Sequence, residues 1–340
     1  MTKKYDIALL GATGLTGEAI LEHLAERNFS MGKLYLLSAS LSVGDEIFFR
    51  GKDIVIEDAE QFDFNRVQLA LFAAGAEASA HFAPKAAAAG CMVIDTSPQF
   101  RQDAGVPLVV TAVNRERIGG FASRRLIACP NAASMHLLTV LKPIHDVVEI
   151  TRIDVVTYQA VSGSGKDAIT ELADQTRAIF NLTETENSVY AKRIAFNVLP
   201  QIGVLQANGY SSEEMKMVDE IRKVLDAPTL VINPTTVRVP VFYGHAQAVH
   251  IETKYKLAAQ AASDLLKNAP GLVVIDAQDA DASPTPLDAA GQDDILVGRI
   301  RDAIALQNGL NLWLVADNIR GGTSLNCVKI AEILVEKYLN

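Results

Sequence analysis

Residues 5–17 read YDIALLGATGLTG, a buried-type strand that runs directly into a glycine-rich turn. The strand is predicted over Tyr5–Leu10, and apolar residues between 19 and 24 return at helical spacing after the turn. Three glycines lie between them in the spacing G-x-x-G-x-x-G: Gly11, Gly14 and Gly17. Glycine lets the backbone approach a pyrophosphate at a helix N-terminus, so the stretch predicts dinucleotide binding. A tight strand-to-helix turn without a ligand is the alternative.

The pattern of a strand followed by glycine returns along the chain. Residues 69–75 read LALFAAG, an alanine-rich helix is predicted over 76–89, and a strand follows at 92–95. This rhythm predicts a doubly wound parallel sheet. Beyond residue 150 the strands become longer and alternate in polarity, as at 153–159 and 246–252. They predict a second, α+β domain with a mixed or antiparallel sheet.

The choice of dinucleotide depends on the end of the strand predicted over 34–37. In a sheet of this kind an acidic side chain there binds the ribose 2′-hydroxyl of NAD, and an arginine accepts the 2′-phosphate of NADP. The segment 38–42 reads SASLS and contains neither. NAD and NADP therefore both stay open as the cofactor, and weak binding of either is an open alternative.

Composition excludes several classes of protein. The chain has 340 residues, of which 49% are hydrophobic and 21% charged, so it is expected to be globular. A formal net charge of −9 argues against nucleic-acid or anionic-membrane partners. Its three cysteines are widely spaced and form neither a disulfide framework nor a metal-site pattern. No apolar run is long enough to span a membrane. We therefore expect a cytoplasmic protein, and the cysteine pattern predicts no metal site.

The stretch 126–134, LIACPNAAS, predicts a strand, a sharp exit and a helix that Asn131 caps. The first residue of such a helix suits a nucleophile, because unpaired N–H groups and the helix dipole stabilise negative charge there. That residue is Ala132, whose methyl group has no lone pair. Cys129 is expected to point into packing, and Ser134 lies inside the helix without an evident base.

Other polar residues are ambiguous when each is considered alone. Arg101 follows a strand at the ligand-binding edge of the predicted sheet, where it could hold an anion or be a solvated loop arginine. His245 begins a strand and is either catalytic or structural. Glu213 and Lys216 are spaced i, i+3 on a predicted helix, which suits an exposed ion pair.

Together these segments resemble the aspartate-β-semialdehyde dehydrogenase family over essentially the whole chain. The matching motifs include GATG at 11–14, FR at 100–101, QAVSG at 159–163, EEMK at 213–216 and GH at 244–245. The resemblance implies a Rossmann domain of residues 1–131 plus 318–340. It also implies a substrate-binding and dimerisation domain of residues 132–317, and hence a homodimer.

The resemblance assigns a role to each matching residue. His245 matches the acid/base histidine, Gln159 positions the acyl group, and Arg238 clamps the substrate carboxylate. Phosphate is expected at Arg101, Asn131 and Lys216, and the substrate amino group at Glu213. Asn131 is also counted with the catalytic residues. The expected dinucleotide contacts are Gly11, Thr13, Gly14, Leu15, Thr16, Ser38, Ser42, Gly75, Ser162, Gly163 and Asn318.

Two positions depart from the family. Its cysteine nucleophile corresponds to Ala132, and its arginine for the NADP 2′-phosphate falls in the segment Ser40-Leu41-Ser42. We therefore expect a Usg-type paralogue that binds a dinucleotide or a small phosphorylated or carboxylate ligand but has lost the thioester-forming dehydrogenase activity. An active NAD(P)-dependent oxidoreductase of amino-acid biosynthesis is one alternative. A structural or regulatory dimer is the other.

Overall fold

The computed structural model describes residues 4–39, 42–275 and 282–339. It separates the chain into two units, residues 1–131 with 323–340 and residues 132–322. The return to the first unit therefore comes at Thr323 and not at Asn318, where we expected it. Asn318 instead bonds to Ser162 and Gly244 within the second unit. Ser40 and Leu41, which belong to the expected ribose segment, lie outside the described residues.

The first unit is built on a seven-stranded sheet. Its strands are β1 (Tyr5–Leu10), β2 (Met31–Ser38), β3 (Glu46–Phe49), β4 (Lys52–Asp58), β5 (Leu69–Phe72), β6 (Met92–Asp95) and β7 (Leu126–Ala128). They lie in the order β3-β4-β2-β1-β5-β6-β7, and every neighbouring pair is parallel except β3 with β4. The prediction of a doubly wound parallel sheet is confirmed, with an antiparallel edge strand added.

Two helices follow strands of this sheet, α1 (Leu15–Glu26) after β1 and α2 (Gly75–Ala88) after β5. The central strands are nearly continuous apolar runs because both faces of a parallel sheet are covered. Glycine is required where α1 packs against the turn, since a Cβ atom on Gly17 would lie 2.1 Å from the Gly11 carbonyl oxygen. The glycine spacing in the sequence thus records a close approach of two backbones.

The second unit contains a six-stranded mixed sheet. Its helices α3 to α7 cover Ala132–Val148, Lys166–Asn181, Ser212–Leu225, Ala259–Lys267 and Pro286–Ala289. Its strands β8 to β13 cover Ile150–Gln159, Val231–Arg238, His245–Thr253, Leu272–Val274, Ile295–Asp302 and Gly309–Ala316. The order is β11-β12-β13-β10-β8-β9, with parallel pairs β8–β9 and β11–β12 and antiparallel pairs between the others. The expected mixed sheet is confirmed.

A final helix, α8 (Leu325–Lys337), belongs to the first unit and packs Val328, Ile330 and Leu334 into its core. It begins at Leu325, after the irregular turn Ile319–Ser324, in which Gly322 adopts non-helical dihedral angles. Within the described ranges, no helix has the length and apolar character needed to cross a membrane.

Candidate functional site

The first unit forms a glycine-lined turn between β1 and α1. Gly11 has a φ of +89°, and a Cβ atom there would lie 2.7 Å from the Ala73 carbonyl oxygen. The turn is held by bonds from Gly11 N–H to the Leu37 carbonyl (3.0 Å) and from Gly14 N–H to the Gly11 carbonyl (3.2 Å). Gly14, the N-cap residue of α1, has no side chain that could accept a hydrogen bond. The N–H groups of Leu15 and Thr16 therefore lie at a helix N-terminus of the kind that binds anions.

A cleft of about 750 Å³ opens beside this turn. It is lined by Gly11, Thr13, Gly14 and Ser38, all expected dinucleotide contacts, and by the backbone segment Ala73–Ala74 that precedes Gly75. The Ser42 hydroxyl lies 3.4 Å from that of Thr13. The glycine turn leaves space that a side chain would occupy, and it lies beside a cleft of this volume. Together the two features suit a dinucleotide.

Two titratable side chains line the cleft, and a third contacts them, although none of the three was predicted from the sequence. Glu60 and His81 line it, with 2.5 Å between Glu60 Oε1 and His81 Nε2, and Lys85 Nζ lies 3.1 Å from Glu60 Oε2. The hydrogen bond from Lys85 is the main reason that the pKa of Glu60 is lowered. The i, i+4 spacing of His81 and Lys85 on α2 is visible in the sequence, but nothing local connects them to Glu60.

Arg101 is buried, so the solvated-loop alternative is wrong. Its Nε donates to the Cys129 carbonyl and its Nη2 to the Thr96 carbonyl, each at 2.8 Å. The guanidinium thus joins the chain leaving β6 to the chain leaving β7. Asn131 is the last residue of this part of the unit and directly precedes Ala132. A phosphate contact for either residue stays a prediction.

In the second unit, three polar residues meet at one edge of the sheet because of strand register. Gln159 and Arg238 are the last residues of the parallel strands β8 and β9 and are register partners. His245 begins β10, which runs antiparallel to β8 with Ala246 opposite Tyr158. A Cβ atom on Gly163 would lie 2.8 Å from Arg238 Nη1 and 3.4 Å from His245 Nε2, so the two side chains converge at that glycine.

His245 is buried with a defined tautomer. Its Nδ1 accepts the Ala160 N–H at 3.1 Å, which leaves the proton of the neutral ring on Nε2. Burial lowers its pKa well below the usual value, and the positive charge of Arg238 lowers it further. The neutral ring therefore carries a hydrogen-bond donor at Nε2.

Arg238 is also buried, and its Nη1 donates to the Ala160 carbonyl at 2.7 Å. Its Nε is buried and has no hydrogen-bond partner in the part of the chain that the structure describes. Burial lowers the pKa of this guanidinium, while Tyr190 and Glu213 act in the opposite direction. An orphaned charged donor of this kind suits a ligand carboxylate.

A second chain of contacts links the ends of β8 and α5. The Gln159 amide donates to Thr157 Oγ1 at 3.3 Å and to Glu213 Oε1 at 3.4 Å. Lys216 Nζ lies 3.9 Å from Glu213 Oε2, on the same face of α5. The Glu213 side chain is only 12% exposed, so the pair is less solvated than the exposed ion pair that spacing suggested.

Ser162, Gly163 and Asn318, which we expected to contact the dinucleotide, all lie in the second unit. The Asn318 amide and the Ser162 hydroxyl bond to each other at 3.0–3.1 Å, and the Gly244 N–H donates to Asn318 Oδ1 at 3.1 Å. These bonds hold the backbone that leads into His245. Their contact with a dinucleotide stays a prediction.

The nucleophile position lies at the start of α3. A Cβ atom on Gly322 would lie 3.1 Å from the Ala132 methyl and 3.8 Å from His136 Nε2. His136, one helical turn after Ala132, is fully buried and bonds through Nε2 to the Gly321 carbonyl at 3.2 Å. This imidazole was not predicted as a site residue, although its i, i+4 spacing from residue 132 is visible in the sequence. Cys129 and the Ser134 hydroxyl are both buried, and that hydroxyl has no partner among the described residues.

Two family descriptions match the chain: "Semialdehyde dehydrogenase, NAD binding domain" over residues 6–121 and "Semialdehyde dehydrogenase, dimerisation domain" over residues 141–321. The chain is 47% identical to aspartate-semialdehyde dehydrogenase 2 of Vibrio cholerae, covering 99% of this chain and 100% of that protein. It is 47% identical to the aspartate-semialdehyde dehydrogenase of Legionella pneumophila, covering 100% and 98%.

Solved structures of aspartate semialdehyde dehydrogenases are also similar to this chain. The crystal structure of aspartate semialdehyde dehydrogenase II complexed with ASA from Vibrio cholerae superposes with a TM-score of 0.97 at 47% identity, over 99% of this chain and 100% of that one. A Candida albicans enzyme crystallised with NADP has a TM-score of 0.75 at 20% identity, over 98% of both chains, which is a likeness of fold. The matched description identifies residues 6–121 of the first unit as the NAD-binding domain of this family. The described residues contain no group of three or more His, Cys, Asp or Glu that could hold a metal ion.

Proposed function

Since the chain belongs to the aspartate-semialdehyde dehydrogenase family, we propose that it is an NAD(P)-dependent oxidoreductase that acts on aspartate semialdehyde or a close analogue. The observation that carries this proposal is the buried edge of Gln159, Arg238 and His245 in the second unit. Relatives of 46–47% identity that are named aspartate-semialdehyde dehydrogenases favour this active alternative over the loss of activity that we expected from Ala132.

The residue types divide the substrate between them. Arg238, with its unpartnered Nε, binds the carboxylate, and the Glu213 carboxylate binds the amino group. Gln159, hydrogen-bonded to Glu213, orients the carbonyl group, and His245 donates a hydrogen bond from Nε2 to the carbonyl oxygen. Arg101, Asn131 and Lys216 remain the proposed anion-binding residues. NAD(P), when bound, accepts or donates the hydride.

Ala132 restricts the route by which the substrate is oxidised. A methyl group cannot attack the carbonyl carbon, so no thioester forms at residue 132. Oxidation would then start from the aldehyde hydrate; NAD(P)⁺, held at the turn of Gly11 and Gly14, would supply the hydride acceptor, and a proton would leave as the carboxylic acid forms. Water supplies the new oxygen, and phosphate is not consumed. Without covalent capture we expect this reaction to be slow.

Ala132 itself supports a second candidate. The buried positions of Cys129 and Ser134 offer no replacement nucleophile, which is what a non-acylating Usg-type paralogue would show. Such a protein would bind the same ligands without turnover, either as a remnant or as a regulatory subunit. In both candidates the matched dimerisation domain supports a homodimer, and three buried free cysteines suit a cytoplasmic location.

The test measures NAD(P)H formation from aspartate semialdehyde, with and without phosphate, for the native protein and Ala132→Cys. We expect slow, phosphate-independent turnover by the native protein. Ala132→Cys should gain phosphate-dependent turnover and an acyl-enzyme detectable by mass spectrometry, because a thiol at a helix N-terminus has a lowered pKa. Both gains should disappear in Ala132→Cys/His245→Ala.

Two results would decide against this proposal. Phosphate-dependent turnover by the native protein with an acyl-enzyme would mean that another residue is the nucleophile. Binding of NAD(P) without any NAD(P)H formation would establish the non-acylating candidate instead.

A further inference from the structure

An irregular segment of the second unit, residues 188–195, is held rigidly by two side chains of α4. Glu171 Oε2 accepts from the Ser188 N–H at 2.7 Å and from its hydroxyl at 2.8 Å. Gln175 Oε1 accepts from the N–H groups of Ile194 and Ala195 at 3.0 and 3.1 Å. We call residues 188–195 the tyrosine loop, because these bonds fix the position of Tyr190 at its centre.

Tyr190 packs against the same apolar cluster as the two segments that contact Arg238. It lies against an apolar cluster that includes Val161, and Leu199 packs against the same cluster. Leu199 and Arg238 exchange backbone hydrogen bonds, each of 2.9 Å. Val161 directly follows Ala160, whose carbonyl accepts Arg238 Nη1. The phenol is therefore a neighbour of the arginine that we assign to the substrate carboxylate.

Two polar atoms in this neighbourhood are buried and lack hydrogen-bond partners among the residues described: the Tyr190 hydroxyl and Arg238 Nε. A buried polar group without a partner costs free energy, and such groups are few in native proteins. Both atoms belong to donors, and burial keeps Arg238 from bulk water. A single anionic oxygen group placed between them would satisfy both.

We propose that Tyr190 is a substrate-binding residue whose hydroxyl donates to the same ligand carboxylate that Arg238 binds through Nε. This assignment rests on the proposed function and adds a residue that the sequence pattern did not indicate. The ligand class is a short amino acid that carries a carboxylate beside its amino group. The influence of Tyr190 on the pKa of Arg238 agrees with their proximity.

The test compares Tyr190→Phe with native protein by calorimetric titration of L-aspartate, a stable analogue of the semialdehyde. Removing a hydrogen bond to a charged group should weaken L-aspartate binding by about tenfold or more. The dissociation constant for NAD(P) should not change. The melting temperature without ligand should stay the same or rise, because the substitution removes an unpartnered hydroxyl.

Tyr210→Phe is the matched control, since that tyrosine is more exposed and its hydroxyl bonds to Asn233 at 3.2 Å. It should bind L-aspartate like the native protein. Arg238→Lys should also weaken binding, and the double variant Tyr190→Phe/Arg238→Lys should lose less than the sum of the two effects if both groups hold one carboxylate.

Two outcomes contradict the assignment in distinguishable ways. If Tyr190→Phe binds L-aspartate normally while Arg238→Lys does not, Tyr190 has only a structural role and the proposed function is unaffected. If native protein binds neither L-aspartate nor NAD(P), the proposed function fails and this assignment fails with it.

Discussion

At the scale of single residues, the second unit contains two buried imidazoles that lie on different elements. His245 begins a strand at the sheet edge, and His136 lies on α3 one turn after Ala132. Burial lowers the pKa of His136 to about 4, and burial, Arg238 and His136 together lower the pKa of His245. The folded protein therefore keeps both rings neutral at a pH where the unfolded chain binds protons.

This difference predicts a loss of stability on acidification. Between pH 6.5 and about 4 the unfolded chain binds more protons at residue 136 than the folded chain, so the free energy of unfolding falls as the pH falls. His136 alone should contribute roughly 3 kcal/mol over this window. Urea unfolding at several pH values should show that the free energy of unfolding depends less steeply on pH in His136→Gln than in the native protein. The glutamine amide can still donate to the Gly321 carbonyl.

His250→Gln is the control, because His250 is an exposed residue of β10 in the same unit. It should keep the native pH dependence of the free energy of unfolding. An unchanged pH dependence in His136→Gln would mean that residue 136 does not cause the loss of stability in acid.

At the scale of elements, the glycines between β1 and α1 meet two requirements that look alike in the sequence: close packing of α1 and space beside the cleft. Gly17 is needed for packing, since its absent Cβ would lie 2.1 Å from the Gly11 carbonyl oxygen. Gly14 lines the cleft, and the nearest atom to an added Cβ there is 3.6 Å away, an ordinary contact. The spacing G-x-x-G-x-x-G therefore combines a glycine needed for packing with one that we propose contacts the dinucleotide.

Alanine substitutions should separate these roles. Gly17→Ala should lower the free energy of unfolding by about 1–3 kcal/mol or more, because the backbone must shift to admit the methyl group. Gly14→Ala should change it by less than about 1 kcal/mol and should instead weaken NAD(P) binding. Thermal unfolding with and without NAD(P) measures both. Equal losses of stability would refute the division.

At the scale of the whole molecule, the exposed apolar side chains of the second unit suit the matched dimerisation domain. Phe180 and Phe196 stack edge to face with ring centroids 5.9 Å apart, and both are largely exposed. Leu182, which directly follows α4, is 94% exposed. Aromatic side chains exposed together are typical of a surface that another subunit covers.

We expect sedimentation velocity to show a homodimer at micromolar concentration. Phe180→Ser/Phe196→Ser should shift it toward monomer, because each side chain would lose apolar area buried in the dimer. Phe48→Ser changes an exposed phenylalanine of the first unit and should leave the dimer intact. Dissociation by Phe48→Ser alone would assign the interface to the first unit.

Local patterns in the sequence predicted the elements better than the site. The strand and glycine spacings gave both sheets, because backbone burial and turns depend on neighbouring residues. The roles of Arg238 and His245 came from family resemblance, since either residue alone is ambiguous. Glu60, His136 and Tyr190 were missed, because their positions depend on contacts between distant segments. An imidazole at i, i+4 from residue 132 was the one signal available for His136.

The strand register that brings Gln159, Arg238 and His245 together has an evolutionary consequence. These residues are carried by the ends of three strands, whereas residue 132 is carried by a helix. A change at residue 132 can therefore leave intact the surface that we propose selects the ligand. Recognition and reactivity can then diverge independently, and a copy of a gene for such a fold can acquire a new role by a single substitution while it still recognises the old metabolite.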